Sequence, residues 1–434
     1  MKKIIFVSTL FLYAFAVSAQ QRITIPLWHS FSGHLGDTLE ALSQQFNAKQ
    51  SKYRIKPVYK GSYPETLTSF VAAFQAHQHP PIVQIYEIGT ATMLQNEQLV
   101  KPVYQLMQQY PHKYFKNDNF LTAVRRYYGD QQLNLYAMPF NSSSAVLYYN
   151  QSVFAQAGIQ APPKTWQDVV GISKKLLDKK LVKCGFTTTF PSWINIENFY
   201  HWHGLSFVKE NAQDKHISFD AQPIKFHLKK LKDWQINKVY QYAGRDSNAT
   251  ALFTSGHCAM MIQSSGSYIS LKKTSHFSVD VAELPYWPQF RNSGANAVMG
   301  GAGLWVINGF SDKTYKGIAL FFNFLAHPKT QAFWQLKTGY FPVIQHPITF
   351  QDPADISELK ASIIAFQQVS HTSDLSPGER LGYYAQIRLF NDEQMEAIIS
   401  EQQTVEQALA LAEKNANNLL AQFKRNSHPA LKNL

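Results

Sequence analysis

Three kinds of residue in this chain could do chemistry: a carboxylate at the end of an apolar run, stretches rich in hydroxyls and glycine, and two tight histidine pairs. The carboxylate is Glu87, which follows Ile82-Val83-Gln84-Ile85-Tyr86 and leads into Gly89-Thr90. In an α/β unit, ligands gather at the carboxyl ends of strands, where a carboxylate accepts hydrogen bonds from ligand hydroxyls. A helix N-terminus also favours a Glu through its dipole, and the residue alone leaves both readings open. Ser142 to Ser144, Ser264 to Ser267 and Gly300 to Gly303 follow or join strand-like segments. Each by itself reads first as a turn, yet hydroxyls and close-approaching backbone N–H groups also make neutral anion sites. His77-Gln78-His79 and His201-Trp202-His203 would put two imidazoles on one face of a strand. No Cys or carboxylate cluster completes a metal site beside them, so both pairs read as ordinary surface or core histidines.

Patterns of catalysis are missing. The sequence has no Gly-x-Ser-x-Gly, no His-Glu-x-x-His and no Gly-x-x-x-x-Gly-Lys-Ser/Thr, and Gly301-Ala302-Gly303 lacks the third glycine of a dinucleotide fingerprint. Nothing pairs a nucleophile with a base, and neither metal nor cofactor is expected. Cys184 and Cys258 are too few for a four-thiolate zinc site. Both sit in apolar, strand-like segments, where a disulfide and two buried thiols are equally natural.

The elements that position such residues can be read along the chain. The composition, 45% hydrophobic and 14% aromatic with only 16% charged residues, supports a large core and excludes a disordered chain. At 434 residues, two or three folding units are expected. Lys2 and Lys3, the apolar stretch Ile4 to Val17 and the small residues Val17-Ser18-Ala19 form a secretory signal peptide, too short to span a bilayer. The protein is therefore expected outside the cytoplasm, cut near Ala19. The net charge of +12 could serve an anionic ligand or surface. Nucleic acid is not expected: the lysines are scattered, no recognition helix is visible, and the chain is exported.

Ile23 to Trp28 alternates like a strand, and Tyr53 to Tyr59 reads as another. Leu67, Phe70, Val71 and Phe74 make an amphipathic helix, and Ile82 to Tyr86 suits a buried strand. This alternation predicts α/β units on a parallel sheet. Near Pro139 the pattern changes, which marks a crossover into a second lobe. Thr165 with Asp168, and Thr404 with Gln407, are capping boxes that open helices. Lys174-Lys175 and Lys229-Lys230 read as solvated helix faces.

Several segments, in order, carry a family resemblance: Pro26-Leu27-Trp28-His29-Ser30, Tyr59-Lys60-Gly61-Ser62-Tyr63, Gln84 to Met93, Pro139-Phe140-Asn141-Ser142-Ser143, Cys258-Ala259-Met260 with Ser264-Ser265-Gly266-Ser267, Gly300-Gly301-Ala302 with Leu304-Trp305-Val306, Lys337-Thr338-Gly339-Tyr340, and Gln386-Ile387-Arg388. From about residue 22 to 425 the chain resembles the periplasmic glycerol-3-phosphate-binding proteins of ABC importers, within the larger family that includes maltose-binding protein. The resemblance implies an α/β, two-lobe periplasmic binding protein fold with a ligand cleft between the lobes. It divides the chain into a signal peptide at 1–19, a first N-terminal-lobe segment at 20–140, a crossover and first C-terminal-lobe segment at 141–300, a return to the N-terminal lobe at 301–342, and a last C-terminal-lobe segment at 343–434.

Carried over residue by residue, the resemblance implies ligand contacts at Tyr63, Glu87, Ser143, Ser264, Gly301, Tyr340 and Arg388. An Arg fork suits a phosphate; the hydroxyls and the Gly301 N–H add neutral donors. Glu87 would repel a phosphate and so should face glycerol hydroxyls. Where relatives have two tryptophans three apart, this chain has Phe190 and Trp193. Phe190 keeps a stacking face without an indole N–H, which leaves the ligand open between glycerol 3-phosphate and glycerophosphodiesters such as glycerophosphocholine. Trp193, Trp202 and Tyr63 could add faces for a choline group. The implied partners are the small-molecule ligand and inner-membrane permease subunits with their ATPase, and the protein is expected to be a monomer that closes on ligand. The competing readings are an oligosaccharide-binding protein on the same scaffold and an exported phosphodiester hydrolase.

Overall fold

The computed structural model describes residues 22–95, 98–210, 215–371 and 378–427. The signal peptide expected at 1–19, with its cut near Ala19, lies outside the described residues. The strands are β1 (Ile23–His29), β2 (Tyr53–Tyr59), β3 (Ile82–Tyr86), β4 (Ala137–Ser143), β5 (Ala145–Asn150), β6 (Cys184–Thr188), β7 (Val208–Glu210), β8 (Lys215–Ile217), β9 (Cys258–Ser264), β10 (Val279–Ala282) and β11 (Gly300–Val306). They form a five-stranded sheet in the order β2-β1-β3-β11-β4, a four-stranded sheet in the order β10-β5-β9-β6, and the separate pair β7-β8.

The first sheet follows from the βαβ pattern at the start of the chain. β1 runs parallel to both β2 and β3, as the strand–helix alternation predicts. β11 differs from the expected all-parallel sheet: it is antiparallel to β3 and to β4. It returns from the second sheet and so enters at the end where β3 leaves. β4 and β5 are separated by Ser144 alone and belong to different sheets, so the chain passes between the two bodies in one extended run. β4 reaches Ser143 and β11 starts at Gly300, so the first sheet includes residues on both sides of the expected divisions. The glycines of Gly300 to Gly303 lie within β11 and not in a turn before it.

Burial matches the apolar pattern in most places. Every residue of β3 is buried, as a run apolar but for Gln84 leads one to expect. The helix Tyr63–Gln75 forms, but only half of its predicted stripe is inside: Phe70 is 2% exposed, whereas Val71 and Phe74 are 47% and 39% exposed. The helix tilts so that Thr66 and Phe70 meet the sheet. Both capping boxes are made. Thr165 Oγ accepts from the Asp168 N–H at 3.1 Å while the Asp168 carboxylate accepts from the Thr165 N–H at 2.9 Å. Thr404 and Gln407 do the same at 3.2 and 3.0 Å.

The cysteine ambiguity resolves as a disulfide. Cys184 and Cys258 are partners in the parallel register of β6 and β9, and they are bonded. The strand reading of His201-Trp202-His203 is corrected: Phe199–Trp202 is a helical turn capped by His203, so the two imidazoles do not share a strand face. His77 lies past the end of the helix Tyr63–Gln75 with φ of 55°, away from any strand. Among the described residues, no helix is long and apolar enough to cross a membrane.

Candidate ligand-binding cleft

The ends of β3, β4, β9 and β11 bring most of the implied site residues together. Gln84, the one polar residue of β3, begins a chain of hydrogen bonds. Its Oε1 accepts from the Ser30 N–H at 2.8 Å and its Nε2 donates to Asn141 Oδ1 at 2.9 Å. Asn141 Nδ2 then donates to the Tyr63 hydroxyl at 3.1 Å. Tyr63 opens its helix behind the Ser62–Glu65 capping box and stacks flat on Tyr86, with ring centroids 5.3 Å apart. A buried amide chain thus fixes the Tyr63 phenol, which also lies against the Tyr340 hydroxyl.

Gly301 sits beside Asn141 because nothing larger fits. Its φ is +116°, and a Cβ there would collide with the Asn141 carbonyl oxygen. Across the turn, the Ser264 hydroxyl donates to the Ser143 hydroxyl at 2.9 Å and accepts from the Gly266 N–H at 3.2 Å. Gly266 in turn presents bare backbone to Tyr340, whose ring a Cβ would strike. Tyr340 lies parallel to Trp334 at 6.0 Å. Two hydroxyl residues, two tyrosines and a strained glycine therefore converge from positions spread over most of the chain.

Arg388 is the cation among the implied site residues, on the helix Tyr384–Ile399. Its guanidinium is not an open fork. Nε and Nη2 donate to the two carboxylate oxygens of Glu197 at 2.8 and 2.7 Å, and Nη2 also donates to Glu87 Oε1 at 2.9 Å. The three side chains are only 13%, 6% and 7% exposed, for Arg388, Glu197 and Glu87 respectively. Glu87, expected to face ligand hydroxyls, here meets Arg388, because a buried carboxylate must find a counter-charge and Arg388 is the one within reach. Burial raises the Glu87 pKa, with Arg388 opposing and Glu197 adding to the rise. Burial disfavours the Arg388 charge, but the Glu197 and Glu87 carboxylates more than offset this and hold its pKa well above the ordinary value.

More carboxylates surround this triad. Asp392, one turn along from Arg388, accepts from the Ser192 N–H at 2.8 Å, and burial pushes its pKa up to about 7. Burial also raises Asp246 and Glu379. A cavity beside the triad is lined by Glu87, Glu197, Glu379, His201, Tyr127 and Tyr384, among others. His201 is neutral there, its pKa pushed down to about 4 by burial. Among the described residues, no group of three or more His, Cys, Asp or Glu side chains is arranged to hold a metal ion.

Phe190 and Trp193 meet edge to face at 6.3 Å, at the turn that leads to Glu197. A Cβ on Gly300 would strike Trp193, so this ring lies against the start of β11. Phe190 has φ of 42°, a left-handed backbone that an aromatic residue adopts only under local constraint. Its N–H donates to the Asp246 carbonyl at 2.7 Å. Trp202 does not join them. Its indole N–H donates to the Leu284 carbonyl, and its ring lies under the Arg291 guanidinium.

Glu197, Asn141, Gln84 and Asp392 escaped the sequence reading. Gln84 carried a signal, as a polar residue inside an apolar strand. Asn141 lay beside the serines that drew attention, and Glu197 followed the aromatic pair. Nothing in the sequence links Glu197 to Arg388, 191 residues away.

Two unequal sheets joined by extended crossovers, with polar residues of both converging at strand ends, define a two-lobe solute-binding protein. The chain belongs to the family described as bacterial extracellular solute-binding protein, whose model matches residues 41–361. Proteins of this kind bind small molecules outside the cytoplasm and work with ABC permeases. The sn-glycerol-3-phosphate-binding periplasmic protein UgpB of Escherichia coli strain K12 is 36% identical over 420 residues, which cover 94% of this chain and 95% of that one. The Shigella flexneri protein of the same name is also 36% identical, with the same coverage. In three dimensions, UgpB from Mycobacterium tuberculosis in complex with glycerophosphocholine aligns with a TM-score of 0.76 at 19% identity, covering 92% of this chain and 98% of the other. Maltose-bound MalE3 of T. maritima aligns at 0.74 and 17% identity, covering 92% of this chain and all of the other.

Proposed function

We propose that this protein captures a glycerol phosphate ester, either sn-glycerol 3-phosphate or a glycerophosphodiester such as glycerophosphocholine, and delivers it to an inner-membrane permease and its ATPase. The observation that carries this reading is Arg388, a buried cation within a cleft otherwise supplied with neutral donors. In this reading Arg388 meets the phosphate. Ser143, Ser264, Tyr340 and the Gly301 N–H add neutral hydrogen bonds to its oxygens. Tyr63 covers the glycerol carbons, Phe190 and Trp193 bound the ester substituent, and Glu87 accepts from a glycerol hydroxyl once the ligand has drawn Arg388 from it. The 36% identity to glycerol-3-phosphate-binding relatives over nearly the whole chain supports the same ligand class.

The reading includes the lobe division at 20–140, 141–300, 301–342 and 343–434, a mature periplasmic chain cut near Ala19, a monomer, and binding without catalysis. Titration calorimetry with sn-glycerol 3-phosphate, glycerophosphocholine and maltose tests it. Saturable binding of either phosphate ester with no response to maltose is expected. Maltose binding with no response to the esters would overturn the proposal in favour of the oligosaccharide reading.

A further inference from the structure

The partners of Arg388 have unequal holds on it. Glu197 uses both carboxylate oxygens and sits in the π-helical turn Trp193–Asn198. That turn is tied down at both ends: Asn195 Nδ2 donates to the Pro191 carbonyl at 3.2 Å, Asn198 Nδ2 donates to the Trp193 carbonyl at 3.0 Å, and Asn198 Oδ1 accepts from the Val298 N–H at 3.1 Å. Glu87 makes a single hydrogen bond to Arg388, from the end of β3 in the other sheet. An entering anion can take the place of Glu87. It cannot displace a bidentate carboxylate held on a braced turn.

The charge that remains is then fixed. Glu197 and Glu87 share the single positive charge of Arg388, and the guanidinium nitrogen Nη1 carries no hydrogen bond among the described residues. The other titratable groups around the guanidinium are Glu87, Asp246, Asp392, Tyr86 and Tyr127, with Tyr384 beneath its plane, and with Glu379 and the neutral His201 beyond Glu197. None of these is a cation. Arg245, which also acts on Asp392, is occupied by Glu396, whose Oε1 accepts from its Nε at 2.8 Å. Arg388, Glu197 and Glu87 together carry one net negative charge, so a phosphate that takes the place of Glu87 keeps this balance with one negative charge and exceeds it with two, which a buried site disfavours.

We propose that Glu197 is a specificity-determining residue that limits this cleft to phosphate groups carrying one negative charge, as in phosphodiesters or singly protonated monoesters. The inference rests on the reading that Arg388 meets the phosphate. It adds that the protein discriminates by charge state.

The test uses the mature protein and two probes, sn-glycerol 3-phosphate and its methyl diester, titrated by calorimetry at about pH 5.5 and about pH 8. The monoester loses its last proton with a pKa of about 6, whereas the diester keeps one charge throughout. Asp392, pushed up to about 7, also ionises between these pH values, so the ratio of dissociation constants removes the part common to both probes and the Glu197→Gln comparison assigns the rest. Between the two pH values the monoester-to-diester ratio should rise tenfold or more in the wild type. It should change less than threefold in Glu197→Gln, and rise as in the wild type in Glu197→Asp, which keeps the charge. A wild-type ratio that stays flat while both esters bind would overturn this inference alone. So would a Glu197→Gln protein that keeps the rise, or one that loses both esters equally at both pH values. Binding of neither ester to the wild type would overturn the proposed function and this inference with it. Should the Gln variant fail to fold, the wild-type ratio still decides.

Discussion

Arg388 Nη2 lies 2.9 Å from Glu87 Oε1, although the two residues are 301 positions apart. One stands at the end of β3, in the first sheet, and the other on the helix Tyr384–Ile399. The contact therefore ties the end of the first sheet to a helix close to the far end of the described chain. It gives the buried Glu87 carboxylate a counter-ion.

Arg388→Ala should weaken binding of a phosphate ester far more than Lys60→Ala. A charge-assisted hydrogen bond contributes about 1.5–3 kcal/mol, equivalent to a roughly 10–150-fold loss. The variant should also unfold more readily, because it strands Glu87 and Glu197 without their cation, and breaking a buried pair costs about 3–5 kcal/mol. Lys60 rests over the Trp28 ring at 3.8 Å, a contact of about 0.5–1 kcal/mol that leaves the cleft untouched. Calorimetry and thermal melts of both variants check this; equal affinity losses would mean that Arg388 does not meet the phosphate.

Stability should fall with acid through His203. Its ring accepts from the Trp287 N–H at 2.9 Å through Nε2 and donates from Nδ1 to the Phe199 carbonyl, an arrangement that needs the neutral form. Burial pushes its pKa down to about 4. The unfolded chain takes up this proton near pH 6.5 and the fold does not, so the contribution is intact above about 6.5 and is lost as pH falls towards about 4. The loss is on the order of 3 kcal/mol. Urea unfolding of wild type and His203→Gln at the two ends of this window should show the smaller pH dependence in the variant. Identical pH dependence in the two proteins would contradict the assignment.

Breaking the disulfide should destabilise without moving the cleft. Cys184 and Cys258 enclose 74 residues of chain, and cross-linking a loop of that size stabilises by about 4 kcal/mol in the chain-entropy account. Cys184→Ala with Cys258→Ala should lower the urea midpoint markedly, with ligand affinity changed less than about threefold. A large affinity loss in a folded double variant would show that the bridge shapes the site.

Phe190→Trp should shift preference towards the smaller ligand. Trp enlarges the face beside Trp193 and supplies an N–H donor, while Phe leaves room for an ester substituent and an aromatic face for a choline group, a contact of about 0.5–2 kcal/mol. The wild type is expected to bind glycerophosphocholine at least as well as sn-glycerol 3-phosphate. Side-by-side titrations decide it: a strong wild-type preference for sn-glycerol 3-phosphate that the substitution leaves unchanged refutes the role given to Phe190.

Local physical chemistry made much of this protein legible from its residues. A run apolar but for Gln84 dictated the buried β3, and polar pairs at helix starts dictated two capping boxes, because such signals act over a few residues. The pattern change at Pro139 falls inside β4, and the chain leaves the first sheet four residues later, after Ser143. The resemblance supplied the implied site residues, and most of them do meet. What the tertiary structure alone decided are relations between distant residues. Whether Cys184 and Cys258 bond depends on the register of β6 against β9. The direction of β11 depends on where it returns from the second sheet, and the exposure of Val71 and Phe74 depends on how their helix lies on the first. Arg388 read in isolation offers a free fork to a phosphate; folded, it is claimed by Glu197 and Glu87, because burial forces each charge to find a partner and only the fold determines which partners are within 3 Å.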